Sequence, residues 1–454
     1  MTTNADPLFA SDVAKLASLR EQRFAATLDR VFAAHPYYKR KFAALCLDRG
    51  DVRGLADLEK LPVTTKADYI AEPEAFVLGA AGAADDAETV VWDIMYTTGS
   101  SGKPAPFVST AYDFVNILAL NRNMMRLRGV TSADTILNLF PLTRYPHGAF
   151  ARAMNAAAAM NIPVVAALPG HVNERQPQIG SRLDDVVAIA ERSRATILWG
   201  VPTFIRKMTA RAEELGAKLP AVRLVFVTGE GFGDAARKDL QDRLQRLGAR
   251  APFISVSYGA TEMQGGMVEC TPGAGNHNPA PDQFLFEAVD PQTHAPLPDG
   301  QEGLILLTHL DRRGTVMLRY ALGDVARLTR ARCPHCGALT ERLLGVPRRI
   351  DGLLKIKGML VNPQALVEAV AAEAEVLEFQ AMVSRENEGD PLSMDRLVLK
   401  IVAAAEAGAD LSERLQRVVQ KAIGVTPAVE RVAADDPLIA ARGWKAKPIV
   451  DLRT

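Results

Sequence analysis

Tyr96-Thr-Thr-Gly-Ser-Ser-Gly-Lys-Pro104 is the stretch on which the reading turns. Two threonines, two serines, two glycines and one lysine follow each other directly after the apolar run at 90–95. Glycine lets backbone amides turn toward an anion, hydroxyls add donors, and lysine adds a positive charge, which together make a cradle for a polyphosphate. A Walker-type loop needs four residues between its first Gly and the Gly-Lys pair, followed by Ser or Thr. Here only two residues separate Gly99 from Gly102 and Pro104 follows Lys103, so a P-loop NTPase is excluded. Taken alone, the segment also reads as a polar surface turn.

Outward from this loop the chain alternates between short apolar runs and helical patterns. Thr135-Ile-Leu-Asn-Leu-Phe140, Ile162-Pro-Val-Val-Ala-Ala-Leu168, Ala195-Thr-Ile-Leu-Trp199, Val222-Arg-Leu-Val-Phe-Val227 and Phe253-Ile-Ser-Val-Ser257 read as buried strands. Residues 183–193, 203–215 and 234–247 between them read as helices. Strand and helix at this spacing predict an α/β domain with a largely parallel sheet. Residues 11–66 ahead of the loop read as helices with loops, and 304–310 and 315–329 read as β-structure. From about 351 onward, helices at 364–372 and 411–423 and strands at 376–384 and 396–403 predict a small α+β domain. The expected organisation is a large domain over 1–350 and a small one over 351–454.

Composition narrows the function classes. The chain has 454 residues, 48% hydrophobic and 23% charged, which is ordinary for a soluble globular protein. Lys+Arg and Asp+Glu are both 53, so the formal charge is zero, and nucleic acid is not an expected partner. Four cysteines are too few for a disulfide framework and suit a reducing compartment. The start MTTNADPLFASD shows no secretory pattern, and the most apolar stretch, 154–170, is broken by Asn155, Asn161, Pro163 and Pro169. The expectation is a cytoplasmic protein with no membrane partner.

The loop has companions in order along the chain: Tyr258-Gly-Ala-Thr-Glu262, Arg319-Tyr-Ala-Leu-Gly-Asp324, Arg349-Ile-Asp351 with Lys355-Ile-Lys-Gly358, and Gly443-Trp-Lys-Ala-Lys447. At this point the chain resembles the adenylate-forming superfamily of acyl-CoA synthetases, adenylation domains and luciferases. The resemblance runs from about Tyr96 to the C-terminus. Glu269-Cys270, Glu287-Ala-Val-Asp-Pro-Gln-Thr293, Pro298-Asp-Gly-Gln-Glu-Gly303, Met317-Leu-Arg-Tyr320 and Val361-Asn-Pro363 make it most similar to the phenylacetate-CoA ligase branch. Two places depart from the usual pattern. Arg348 stands where a Gly usually opens the hinge motif, and Trp444 where a Gly usually precedes the late lysine, which leaves Lys445 and Lys447 as alternatives.

The resemblance implies an α/β large domain and a small α+β domain that rotates about a hinge at Asp351. It implies ATP-dependent activation of a carboxylic acid to an acyl-adenylate, then transfer to a thiol. Thr97, Thr98, Gly99, Ser100, Ser101, Gly102 and Lys103 would embrace the phosphates. Tyr258 and Gly259 would lie at adenine with Gly229, Glu230 and Gly231, while Asp324 and Arg349 would hold the ribose. Thr261 would bond the α-phosphate, Glu262 would hold Mg2+, and Lys445 would bridge carboxylate and α-phosphate. The acid would bind beside Phe140, Tyr145, His147, Phe150 and Trp199 under the cap at Ala260, an aromatic-rich wall suited to a flat aryl acid. CoA is the expected acceptor. The rivals are a carrier-protein phosphopantetheine, a fatty-acyl substrate, or a non-catalytic homologue that keeps nucleotide or zinc. A homodimer is left open as a partner.

A second site stands apart from this chemistry. Cys333-Pro-His-Cys336 has the spacing of half a tetrahedral zinc site, and Cys270 with His277 offers the other half. His294 and His335 compete as nitrogen donors. A redox pair or inert thiols are the alternatives. Four protein ligands leave no open position, so the Zn2+ would be structural; members of the resembled branch can carry one in this region.

Overall fold

A computed structural model describes residues 13–78, 88–96, 105–142, 148–170, 180–229, 232–350, 354–356, 359–385, 395–440 and 449–453. The chain divides into two compact units, one of residues 1–136, 142–164 and 255–347, the other of 137–141, 165–254 and 348–454. One change of unit falls after Pro347, and residues 137–141 and 165–254 group with the C-terminal segment.

In the first unit, helix Val13–Ala34 buries Phe24, Leu28 and Val31, an i, i+4, i+7 stripe. His35 then caps helix Pro36–Ala44: its Nδ1 accepts from the Tyr38 amide at 3.3 Å, and Pro36 supplies the preset first-turn dihedral. Strands Val91–Tyr96 and Pro106–Thr110 pair antiparallel with Tyr96 opposite Pro106. Trp92 on the first of these strands is exposed and stacks on Phe114 at 4.4 Å. Thr110 and Asp113 form a reciprocal capping box that starts helix Ala111–Leu127. Asp113 also accepts from the Arg313 and Gly314 amides at 2.8 Å each, tying that loop to the helix start.

The strands of this unit follow one another across the sheet as Phe284–Val289, Glu302–His309, Tyr320–Thr329, Arg342–Arg349, Asn276–His277, Gly265–Glu269 and Phe253–Ala260. The first three pair antiparallel in sequence, as do the last four where their register is defined. Strand Phe253–Ala260 runs three residues beyond the predicted end at 257. Its extension pairs Tyr258 with Met267, Gly259 with Gly266 and Ala260 with Gly265. Two glycines opposite each other allow the close approach, since a Cβ on Gly266 would meet the Tyr258 carbonyl oxygen at 3.0 Å.

In the second unit, strands Ile197–Gly200 and Leu224–Thr228 pair in parallel, and helices Leu183–Ser193, Pro202–Glu214 and Asp234–Arg246 fall within two residues of the predicted limits. Strand Ile136–Asn138, at the junction of the two units, is shorter than the apolar run that predicted it. The Asn138 side chain accepts from the Phe140 amide at 3.1 Å, an Asx turn that ends the strand.

The C-terminal segment builds a sheet in the order Ala428–Arg431, Asp395–Ala403, Val376–Arg385, Ile449–Asp451. The two middle strands are antiparallel and each outer strand is parallel to its neighbour. Helix Leu411–Ile423 presents Leu411, Leu415, Val419 and Ile423 as one buried stripe, and Gly424 at φ +74° ends it. These side chains pack with Leu366, Val370, Phe379, Leu397, Leu399 and Ile401. Burying each large aliphatic contributes roughly 1.5–3 kcal/mol. Arg206 of helix Pro202–Glu214 bonds Asp239 at 3.2 Å and the Glu373 carbonyl at 2.7 Å, and Lys207 pairs with Glu378. The fold is therefore a large α/β region with a smaller C-terminal α+β region, as predicted. No helix among the described residues is long and apolar enough to cross a membrane.

Candidate active site

Strand Phe253–Ala260 delivers its last residues into a short 3-10 turn, Thr261–Met263. The turn closes on Gln264, a left-handed residue at φ +51°, whose amide and side-chain amide both donate to the Thr261 carbonyl. Along the strand the Ser257 hydroxyl accepts from buried Arg128 at 3.3 Å, and Tyr258 donates its phenol proton to Asp324 at 2.7 Å. Tyr258 and Asp324 stand 66 residues apart in sequence, and this bond brings two of the ordered motifs together. Glu262 is nearly buried, at 9% exposure, and Gly259 is exposed.

Two residues that the sequence reading passed over hold the same turn. His309, at the end of strand Glu302–His309, accepts the Met317 amide at Nδ1 over 3.0 Å. Its other nitrogen, Nε2, must then carry the proton, and it donates to the Glu262 carbonyl at 2.9 Å. Full burial, with Arg312 nearby, pushes the His309 pKa down to about 3. On the other side Arg152 donates from Nη2 to the Ala260 carbonyl at 3.1 Å. Burial pushes the Arg152 guanidinium down to about 10, against the Coulomb field of Glu262, which supports the charge. The signals were present: one charged residue in an alanine-rich helix, and one histidine in an apolar strand.

His35 is a second buried neutral histidine. It donates from Nε2 to the Val316 carbonyl at 3.1 Å, and burial lowers its pKa to about 4. Folded pKa values below the unfolded value near 6.5 mean that the unfolded chain binds protons first as pH falls. Both histidines therefore contribute stability that is full above about pH 6.5 and is lost as pH drops toward 4 and then 3. The denaturant midpoint should be lower at pH 5 than at pH 7.5. The gap should narrow in His309→Gln, which keeps a donor without a titrating ring. An equal gap in wild type and variant would remove His309 as a source.

Other predicted residues lie as follows. Phe140 is fully buried, and Trp199 packs edge-on against it at 6.5 Å and against Phe226 at 5.6 Å, so both rings are engaged in the core of the second unit. Phe150 is half-buried in helix Gly148–Met160. Gly229 ends strand Leu224–Thr228 at φ +89°, a conformation that favours glycine, and Arg349 is exposed at the end of strand Arg342–Arg349. Thr97, Thr98, Gly99, Ser100, Ser101, Gly102, Lys103, Tyr145, His147, Glu230, Gly231, Asp351 and Lys445 lie outside the described residues.

The cysteine cluster assembles within the first unit. One donor atom from each of Cys270, His277, Cys333 and Cys336 lies within 4.8 Å of the others. Cys270 Sγ is 3.9 Å from Cys333 Sγ, and Cys336 Sγ is 3.7 Å from His277 Nε2. A tetrahedral zinc about 2.3 Å from sulfur and about 2.0 Å from nitrogen sets its ligand atoms roughly 3.5–3.8 Å apart, so the donor set and spacing fit that ion. The knuckle is shaped by its own backbone: the Gly337 amide bonds the Cys333 carbonyl at 3.0 Å, with Gly337 at φ +75°. Hydrogen bonds from Cys270 and His277 hold the Cys336 thiol below its ordinary range. His335 is exposed, and among the described residues the cluster takes neither it nor His294.

Comparison with known proteins adds to this geometry. A family model described as "AMP-binding enzyme" matches residues 34–320. The chain is 26% identical to a phenylacetate-coenzyme A ligase of Thermus thermophilus, covering 97% of each chain. It is also 26% identical to the phenylacetate-coenzyme A ligase of Escherichia coli, over 99% of this chain and 98% of that one. Among solved structures, a 2-hydroxyisobutyryl-CoA ligase with a bound acyl-adenylate superposes with a TM-score of 0.78 at 20% identity, covering 100% of this chain and 94% of that chain.

Proposed function

The chain belongs to the AMP-binding enzyme family, and on that premise we propose that it activates an aromatic carboxylic acid with ATP and passes the acyl group to the thiol of CoA. The observation that carries the reading is the Tyr258–Asp324 bond at 2.7 Å on the strand that ends in Thr261 and Glu262. It sets an aromatic face and a carboxylate beside a turn that offers a hydroxyl and a second carboxylate. Those are the groups a nucleotide needs at its base, ribose, α-phosphate and counter-ion. The likeness in sequence to phenylacetate-CoA ligases supports the aryl acid and the CoA acceptor.

In this reading the acid carboxylate attacks the α-phosphorus of ATP and pyrophosphate leaves. The protein positions the two anions and neutralises charge as it builds. Asp324, held by Tyr258, accepts from the ribose hydroxyls, and Thr261 bonds the α-phosphate. Glu262 is a hard oxygen ligand suited to Mg2+ shared with phosphates. His309 fixes the backbone of that turn without carrying charge. Lys103 and its neighbours hold the leaving phosphates, Lys445 bridges the reacting groups, and Asp351 serves as the hinge. Phe150, with Tyr145 and His147, receives the acid in this reading, while Phe140 and Trp199 are core residues of the second unit. Zn2+ in the cysteine cluster is structural, and cysteines held as thiolates without a disulfide suit a reducing cytoplasm.

Pyrophosphate release over a panel of acids tests the substrate class. Benzoate, phenylacetate or a heteroaryl acid should exceed octanoate by at least tenfold in kcat/KM. Each aromatic pair adds about 0.5–1.5 kcal/mol beyond area burial, and a long chain loses rotamer entropy on binding. Phe150→Ala should raise KM for the aryl acid and leave KM for ATP unchanged. Octanoate outrunning every aryl acid would put a fatty-acyl substrate in its place.

A further inference from the structure

Helix Gly148–Met160 reads Gly-Ala-Phe-Ala-Arg-Ala-Met-Asn-Ala-Ala-Ala-Ala-Met, and Arg152 is its one charged residue. The side chain folds back over the first turn. A Cβ on Gly148 would stand 2.9–3.0 Å from the guanidinium Nη2, Cζ and Nε, so glycine there leaves the space the guanidinium fills. Nη2 bonds the Ala260 carbonyl at 3.1 Å, while the buried Nε–H meets no acceptor among the described residues. Glu262 supplies the opposing charge. Burying a guanidinium with one carbonyl bond and, among the described residues, no direct carboxylate contact adds little stability, and an apolar side chain of similar volume would serve packing as well or better.

We infer that Arg152 recognises the acid, its guanidinium taking the carboxylate of the substrate beside Ala260 and Thr261. This rests on the acid-activating reading proposed above. The fork of N–H donors matches a planar carboxylate, which a lysine ammonium does not. Arg152 reaches this end of the strand from helix Gly148–Met160 through its bond to the Ala260 carbonyl, next to Thr261.

The test compares wild type with Arg152→Gln and Arg152→Lys, using phenylacetate, the neutral isostere phenylacetamide, and ATP. In Arg152→Gln the KM for phenylacetate should rise roughly ten- to a hundred-fold, the loss of one charged hydrogen-bonding partner, while KM for ATP stays within twofold. Arg152→Lys should fall between the two. In a thermal-shift assay with AMP, which needs no turnover, phenylacetate should protect wild type more than phenylacetamide does. That preference should vanish in Arg152→Gln. An unchanged KM for phenylacetate in both variants, KM for acid and ATP rising in parallel, or a preference that survives in Arg152→Gln would overturn the assignment and leave Arg152 as a brace for the Ala260 carbonyl. If Arg152→Gln does not fold, Arg152→Lys decides, with at least a threefold rise for the acid alone as the required result. Wild type that releases no pyrophosphate with any acid would instead fault the functional reading, and the protection assay separates the two failures.

Discussion

Lys445→Ala should abolish acid-dependent pyrophosphate release, by on the order of a thousand-fold, while CoA thioester formation from supplied acyl-adenylate persists. The adenylation step brings two anions together, the acid carboxylate and the α-phosphate. A cation about 4 Å from a unit charge interacts by roughly 4 kcal/mol at an effective dielectric near 20, which corresponds to about three powers of ten in rate. Lys445 lies in Gly443-Trp-Lys-Ala-Lys447, which strand Ile449–Asp451 directly follows. That strand pairs in parallel with Val376–Arg385, Ala381 opposite Ile449. The partial reactions separate the roles, because only the first joins carboxylate to phosphate. Loss of pyrophosphate release in Lys447→Ala but not in Lys445→Ala would transfer the role to Lys447.

The second large effect concerns the metal. Purified without chelator, the protein should carry about one zinc per chain, and Cys333→Ser should release it. Cys333 is buried, at 1% exposure, and its backbone closes the knuckle through bonds to Gly337 and Ala338. The cluster joins three strands of one sheet, since His277 pairs with Val268 on one side and Arg342 on the other. Losing the ion should cost several kcal/mol, a drop in Tm of roughly 5 °C for a chain of this size. The chemistry per folded molecule should change little, because four protein ligands leave no position for substrate. Metal analysis of the wild type that finds no zinc would refute the site. Loss of activity with Tm unchanged would contradict a purely structural role.

Where periodicity was strong, the sequence was readable. Helix Leu411–Ile423 matches its prediction to the residue because four aliphatics recur every four positions and a glycine follows. Helix Leu183–Ser193 does so as well, stopped by Arg194 in the left-handed region at φ +49°. Strand ends were less legible. A local Asx turn at Asn138 and the facing glycines Gly259 and Gly266 act through contacts that no short pattern announces. Motif residues such as Tyr258, Glu262 and Asp324 were singled out because they come in an order along the chain. Arg152 and His309 were not, because each belongs to no motif and meets the turn only through the tertiary fold. The cysteine cluster could be read from spacing and count. His277 was put forward over His294 and His335 from the sequence, and the described cluster is the one that contains it, beside Cys336.

The central claim is that an acyl-adenylate forms, and the fate of the acid's oxygen tests it most directly. Phenylacetate labelled with 18O in both carboxylate positions would be incubated with the protein, ATP, Mg2+ and CoA, and the nucleotide product examined by mass spectrometry. Attack of the carboxylate on the α-phosphorus, followed by thiol cleavage of the acyl–oxygen bond, leaves one 18O atom in AMP for each thioester formed. The account predicts that label, with pyrophosphate as the other product. Unlabelled AMP, or ADP with inorganic phosphate, would contradict it.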